Sequence, residues 1–172
     1  MTLSQLLLDQ IDTRSFGSLW FWLAAVAIWV VLAQRVMGVP LHVVEAARRG
    51  KDGAPLVDWL ALTLPDIAGQ GEPLLTWAVA AFALSFAAVM GFGYGAEAGQ
   101  VAFLLLAPLG LVALLRRGLA RRLLVIEAMD PVTLARRLLR QRMIEQAIGM
   151  ASLTATGVWG LSRLIRQALG QP

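Results

Sequence analysis

The chain has 172 residues, of which 58% are hydrophobic and only 15% charged, with a formal net charge of +4. Ordinary soluble domains carry about 25% charged residues, and a mean hydropathy of +0.69 leaves more apolar surface than a fold of this size can hide, so the composition points to lipid as the solvent. There is no cysteine and one histidine, His42, which argues against disulfides, thiolate metal sites, a catalytic thiol and a histidine-based metal cluster; no metal or cofactor is expected.

The opening segment, MTLSQLLLDQID, lacks a basic n-region and carries Asp9 and Asp12, so it does not read as a signal sequence. Leu3, Leu6, Leu7 and Ile11 fall at helical spacing, which predicts an amphipathic helix in the outer interface. The first span covers about 16–35, FGSLWFWLAAVAIWVVLAQ and the following arginine, with no charge inside its apolar run. Trp20 and Trp22 sit at its outer end, where amphipathic rings prefer the headgroup level. Trp29 lies deeper, at an expected helix contact.

A long loop, about 36–72, follows. In GVPLHVVEAARRGKDG, Pro40 suits a first helical turn and Gly50 and Gly53 suit its end. His42 reads either as a metal or proton site or as an ordinary interfacial histidine. LVDWLALTLPDI predicts a surface helix with Val57, Leu60, Ala61 and Leu64 on one face, Asp58 and Asp66 polar, and Pro65 ending or kinking it. GQGEP is a turn before the next span.

The second and third spans, about 73–95 and 98–116, form a tight hairpin closed by the glycine-rich GFGYGAEAG. Gly91, Gly93 and Gly95 there allow close packing. GFGYG does not read as a pore filter, because it ends an ordinary span instead of forming a re-entrant loop. Pro108 falls inside the third span and can kink it.

The second long basic region covers about 117–145. Asp130–Pro131 is a helix start, with an N-cap carboxylate followed by proline at the first position. No breaker follows, so one helix is predicted from Pro131 to about Leu169, ~58 Å long. That exceeds a hydrocarbon core of about 30 Å, and its first turns should project beyond the bilayer. The fourth span, about 146–166, is less apolar. Ser152, Thr156 and Gly160 recur every four residues, a small-residue face suited to helix packing; a re-entrant or interfacial helix is the other reading.

Topology follows from the basic residues flanking the spans. The two long loops, counted with Arg35 and Arg116 at the span ends that open them, hold twelve of the fifteen basic residues; Arg14, Arg163 and Arg166 lie on the other side. The expected architecture is therefore all-α: a single-domain, polytopic membrane helix bundle with four transmembrane helices and short amphipathic interfacial helices. It would lie in a bacterial inner membrane with both loops cytoplasmic and both termini periplasmic.

Candidate site residues are few. Arg116, Arg117, Arg121, Arg122, Arg136, Arg137, Arg140 and Arg142 could bind anionic headgroups at about 1 kcal/mol each, dock a protein partner, or report topology alone. Nucleic acid is a poor fit for them. Glu145, at the edge of the fourth span, reads as a relay or ion site, or as a partner of Arg142 or Arg49. No G-x-x-x-x-G-K-[ST], HExxH or G-x-S-x-G motif occurs, and no paired acids or bases suit catalysis. The two halves show no convincing inverted repeat. No catalytic residue is assigned.

Four blocks occur in order: DTRSFGSLWFW, GVP after the first span, FGYGAEAGQVAFLLLAPL across the hairpin, and QAIGMASLTATGVWG in the last span. Together they resemble a family of small alphaproteobacterial membrane proteins labelled "component of SufBCD complex". The resemblance covers most of the chain. It implies a link to iron–sulfur cluster assembly, whose SufBCD scaffold is soluble and cytoplasmic. A chain without cysteine cannot hold a cluster through thiolates, so the implied role is a membrane dock acting through the basic loops.

The expected function is thus a non-catalytic accessory or scaffolding subunit of a larger inner-membrane assembly. Its partners would be membrane lipids, other membrane subunits or further copies of itself, and a soluble cytoplasmic protein. The alternative is a small self-associating channel or transporter, for which Thr76, Ser85, Gln100, Thr154 and Thr156 are the sparse polar candidates.

Overall fold

Between Leu19 and Gln34 the chain has no glycine, proline or charge, and it forms a helix, α1 (Leu19–Gln34). The computed structural model describes residues 19–70, 73–125 and 130–169. The helix expected over Leu3–Ile11 and the first residues of the first span lie outside the described residues.

At the end of α1 the chain reverses. Strand β1 (Arg35–Val36) pairs antiparallel with β2 (Val39–Pro40). Met37 and Gly38 make the turn with φ of 51° and 81°, the double positive φ that matches the right-handed twist of a hairpin. A left-handed non-glycine residue costs about 1–2 kcal/mol; here the Met37 side chain is fully buried, which offsets it. Helix α2 (Leu41–Arg48) follows, then α3 (Ala54–Ala68). Pro65 does not end α3. The helix runs three residues further and stops at Gly69, whose φ of 69° provides the left-handed cap. The buried face of α3 is Leu56, Leu60, Leu64 and Ala68, whereas Val57 and Ala61 are exposed. The expected face was thus rotated by about one residue.

Helix α4 (Leu74–Ala88) passes directly into a π-helical turn at Val89–Gly93. After a three-residue link, α5 (Glu97–Leu124) returns alongside it. Pro108 sits inside α5 without ending it. The hairpin is tight because two glycines interlock: a Cβ on Gly91 would overlap the Gln100 backbone nitrogen, and one on Gly99 would come within 2.5 Å of the Gly91 nitrogen. Gly95 supplies the turn, with φ of 73°. Gly93 meets nothing closer than the Val89 side chain at 3.9 Å, so close packing is not its role.

The last element is the predicted long helix, α6 (Pro131–Ala168). Asp130 caps it: its Oδ2 accepts from the Thr133 backbone nitrogen at 3.1 Å and from the Thr133 hydroxyl at 3.2 Å. Much of the region read as a second loop is therefore helix, divided between the end of α5 and the start of α6.

The hydrophobic core lies at one end of the molecule. Val36, Met37 and Val39 of the β-hairpin, Val44 and Ala47 of α2, and the buried face of α3 meet Ala120 and Leu123 of α5 and Leu134, Ala135 and Leu138 of α6. Each fully buried leucine there contributes about 1.5–3 kcal/mol. We call this end the platform. Toward the opposite, hairpin end, the helices show apolar residues outward. Among the described residues two helices are long and apolar enough to cross a membrane, Leu74–Gly93 and Glu97–Leu124, and only 11% of each apolar window is buried. The core helix of a soluble protein would be mostly covered. Here Leu74, Leu75, Val79, Phe82 and Phe86 all face outward, as association with a membrane requires. The described part of α1 is apolar but shorter.

Candidate functional site

Two polar clusters interrupt the apolar packing, one at each end of the α5–α6 pair. At the platform end, Glu145 of α6 is buried and is held by Arg116 of α5 in a bidentate pair, with Arg116 Nε donating to Oε1 at 2.9 Å and Nη2 to Oε2 at 2.6 Å. Gln141 Nε2 adds a third bond at 3.1 Å. A carboxylate removed from water needs this degree of satisfaction. Of the two readings of Glu145, a relay or ion site and an ion-pair partner of Arg142 or Arg49, the structure shows an ion pair but with a different arginine: Arg49, the residue that caps α2, pairs with Glu45, and Arg142 donates from Nε to the Ala33 carbonyl at 3.2 Å.

The eight basic candidates divide into two groups. Arg116 and Arg142 reach the last carbonyls of α1, at Leu32 and Ala33. Arg117 and Arg121 reach the end of α3, at Gly69 and Ala68, and Arg117 also lies over the Trp77 ring at 4.5 Å. Helix C-termini leave carbonyls unpaired and carry partial negative charge, so a guanidinium there is favourable. Arg122, Arg136, Arg137 and Arg140 are exposed on the platform. Half of the set thus bonds to carbonyls or a carboxylate of the chain, although Arg121 is itself exposed, and the other half is exposed on the platform.

At the hairpin end, buried Gln100 ties three elements together. Its Nε2 donates to the Gly91 carbonyl at 2.8 Å, while its Oε1 accepts from Trp159 Nε1 at 3.0 Å and Arg163 Nε at 3.1 Å. Arg163 Nη2 reaches the Gly95 carbonyl at 3.0 Å. Phe92 packs edge-on against both Phe103 and Trp159.

The small-residue face of α6 is occupied within the chain. Ser152 donates to the Leu104 carbonyl of α5 at 3.4 Å, and Thr156 and Gly160 are buried. The polar candidates for a conduction path do not share one surface: Thr76, Ser85 and Thr154 face outward, Thr156 bonds the Ser152 carbonyl, and Gln100 is fully engaged. His42 is exposed on α2. Among the described residues no group of three or more His, Cys, Asp or Glu comes together.

One feature had no clear counterpart in the sequence. Between α1 and α6 lies a crevice of about 360 Å³, closed at its back by Val112 of α5. Trp29 walls it and fits a notch at Gly149, where a Cβ would come within 2.7 Å of the indole ring. Trp29 therefore does lie at a helix contact, as expected, but its buried Nε1 has no acceptor among the described residues, a deficit costing about 1–3 kcal/mol. The one local hint was Gly149 itself, since glycine inside a helix costs about 1 kcal/mol relative to alanine and so suggests a close approach.

Comparison with protein-family models, curated proteins and solved structures finds no match to this chain.

Proposed function

We propose that the chain is a polytopic inner-membrane protein that acts without catalysis, as an accessory or scaffolding subunit holding a small cytoplasmic platform at the bilayer surface. The division of the arginines carries this reading. Arg116, Arg117, Arg121 and Arg142 build the platform onto the apolar helices, and Arg122, Arg136, Arg137 and Arg140 remain exposed on it. An exposed basic cluster beside a membrane suits anionic headgroups or an acidic protein surface.

The spacing of the two polar clusters supports four spans. From Glu145 to Arg163 along α6 is about 27 Å, and from Gln100 to Arg116 along α5 about 24 Å. Both are close to a hydrocarbon thickness of about 30 Å. On this reading α1, α4, α5 and the hairpin-end half of α6 cross the bilayer. The polar clusters then fall at its two faces, the hairpin is periplasmic, and the first turns of α6 stand in the cytoplasm.

Purification from membranes in mild detergent tests the scaffold role. The wild-type chain is expected to bring down a partner in stoichiometric amount, and a variant with Arg122, Arg136, Arg137 and Arg140 all changed to Glu is expected to lose it. A wild-type chain that purifies alone rejects the proposal. The block resemblance makes the soluble iron–sulfur assembly scaffold the first partner to assay.

A further inference from the structure

We propose that the crevice between α1 and α6 holds one anionic glycerophospholipid, with its phosphate at Arg142 and an acyl chain laid along Val26, Val30, Met150 and Leu153. This rests on the membrane reading above and adds to it a single built site, distinct from the diffuse attraction of the exposed arginines.

The crevice changes character along its length. Arg142, Glu145 and Gln146 line its platform end, and Val26, Val30, Met150 and Leu153 line the remainder. A guest must therefore be polar at one end and apolar at the other. At about 360 Å³ the space falls within the range of small-molecule pockets. Its rim identifies the direction of entry. Val30 is 52% exposed and Met150 71% exposed, on the apolar flank where α1 and α6 would meet acyl chains. The guest comes from the bilayer, not from water.

Charge selects the headgroup. Both oxygens of Glu145 are taken by Arg116, so that pair is internally neutral. Arg142 gives only its Nε to the Ala33 carbonyl, and among the described residues no carboxylate pairs with it. The crevice therefore keeps one positive charge with donors to spare, the arrangement suited to a phosphate.

The test is native mass spectrometry of the full-length protein, delipidated and then exposed to vesicles of phosphatidylglycerol or phosphatidylcholine. Wild type is expected to retain one phosphatidylglycerol per chain in preference to phosphatidylcholine. Val30→Trp fills the crevice from its exposed rim, and Arg142→Gln removes the charge; each should weaken retention about tenfold, the equivalent of one charged hydrogen bond. Val79→Trp adds the same bulk to an exposed position on α4 and should retain lipid as wild type does. The site is overturned if Val30→Trp binds like wild type, or if Val79→Trp loses lipid equally. Carbonate extraction separates the two levels of failure. A chain that stays in the membrane pellet without retaining lipid loses only the crevice site. A chain released by carbonate loses the membrane reading as well.

Discussion

Gly91 and Gly93 stand two residues apart in the same π-helical turn, yet the structure asks different things of them. Gly91 lies against the backbone of Gly99 and Gln100, whereas Gly93 has open space around it. Gly91→Ala forces the hairpin apart and should cost about 1–3 kcal/mol, as overpacking does. Gly93→Ala should stay within about 0.5 kcal/mol of wild type. Thermal unfolding in detergent compares the two directly. Asp130→Ala removes the cap on α6 and should cost about 1 kcal/mol. These residues also show what a sequence can reveal locally. Asp130–Pro131 was readable because a cap is a short-range device whose partners are the next three residues. The distinction between Gly91 and Gly93 was not, because it depends on which side of the turn faces α5.

At the scale of elements, long-range contacts set the geometry. Arg116 and Arg142 reach carbonyls of α1 across 84 and 109 residues of chain, and no local pattern announces such caps. Glu145 was recognised as a residue in need of a partner, but its choice of Arg116 over Arg142 depends on how α5 and α6 are rotated against each other. The face of α3 was displaced for a related reason: Val57, Trp59 and Leu62 are apolar yet exposed, so hydrophobic spacing alone could not separate the packed stripe from its neighbours. The Arg116–Glu145 pair makes a testable unit. Glu145→Ala strands a part-buried guanidinium and should cost about 3–5 kcal/mol. Combining Glu145→Leu with Arg116→Met should recover most of that loss, because a buried pair replaced by apolar side chains is often neutral. Chemical denaturation of Glu145→Leu, Arg116→Met and the double variant yields the coupling; additive effects would show that the pair does not act as a unit.

For the whole molecule, the helical class and the single unbroken α6 were legible in composition and in the absence of breakers after Pro131. The position of the core was not. The segments that looked like surface helices, together with a four-residue β-ladder, form the best-packed region, because they close against α5 and α6 from opposite parts of the chain. The proposed topology has a direct test in a chain that contains no cysteine. Tyr94→Cys, at the exposed hairpin link, should react with an impermeant thiol reagent in intact spheroplasts. Arg137→Cys, on the platform, should react only after lysis. Reaction of both from the same side would reject the assignment of platform and hairpin to opposite faces.

The unbroken course of α6 through both polar clusters has a mechanical consequence. A continuous helix cannot shorten, so a bilayer thinner than the interval between the clusters is accommodated by leaning, at a modest cost per ångström of mismatch. The platform is built on the same helix and must swing with it. In the proposed topology, acyl-chain length would then act as an input and the attitude of the basic surface as its output.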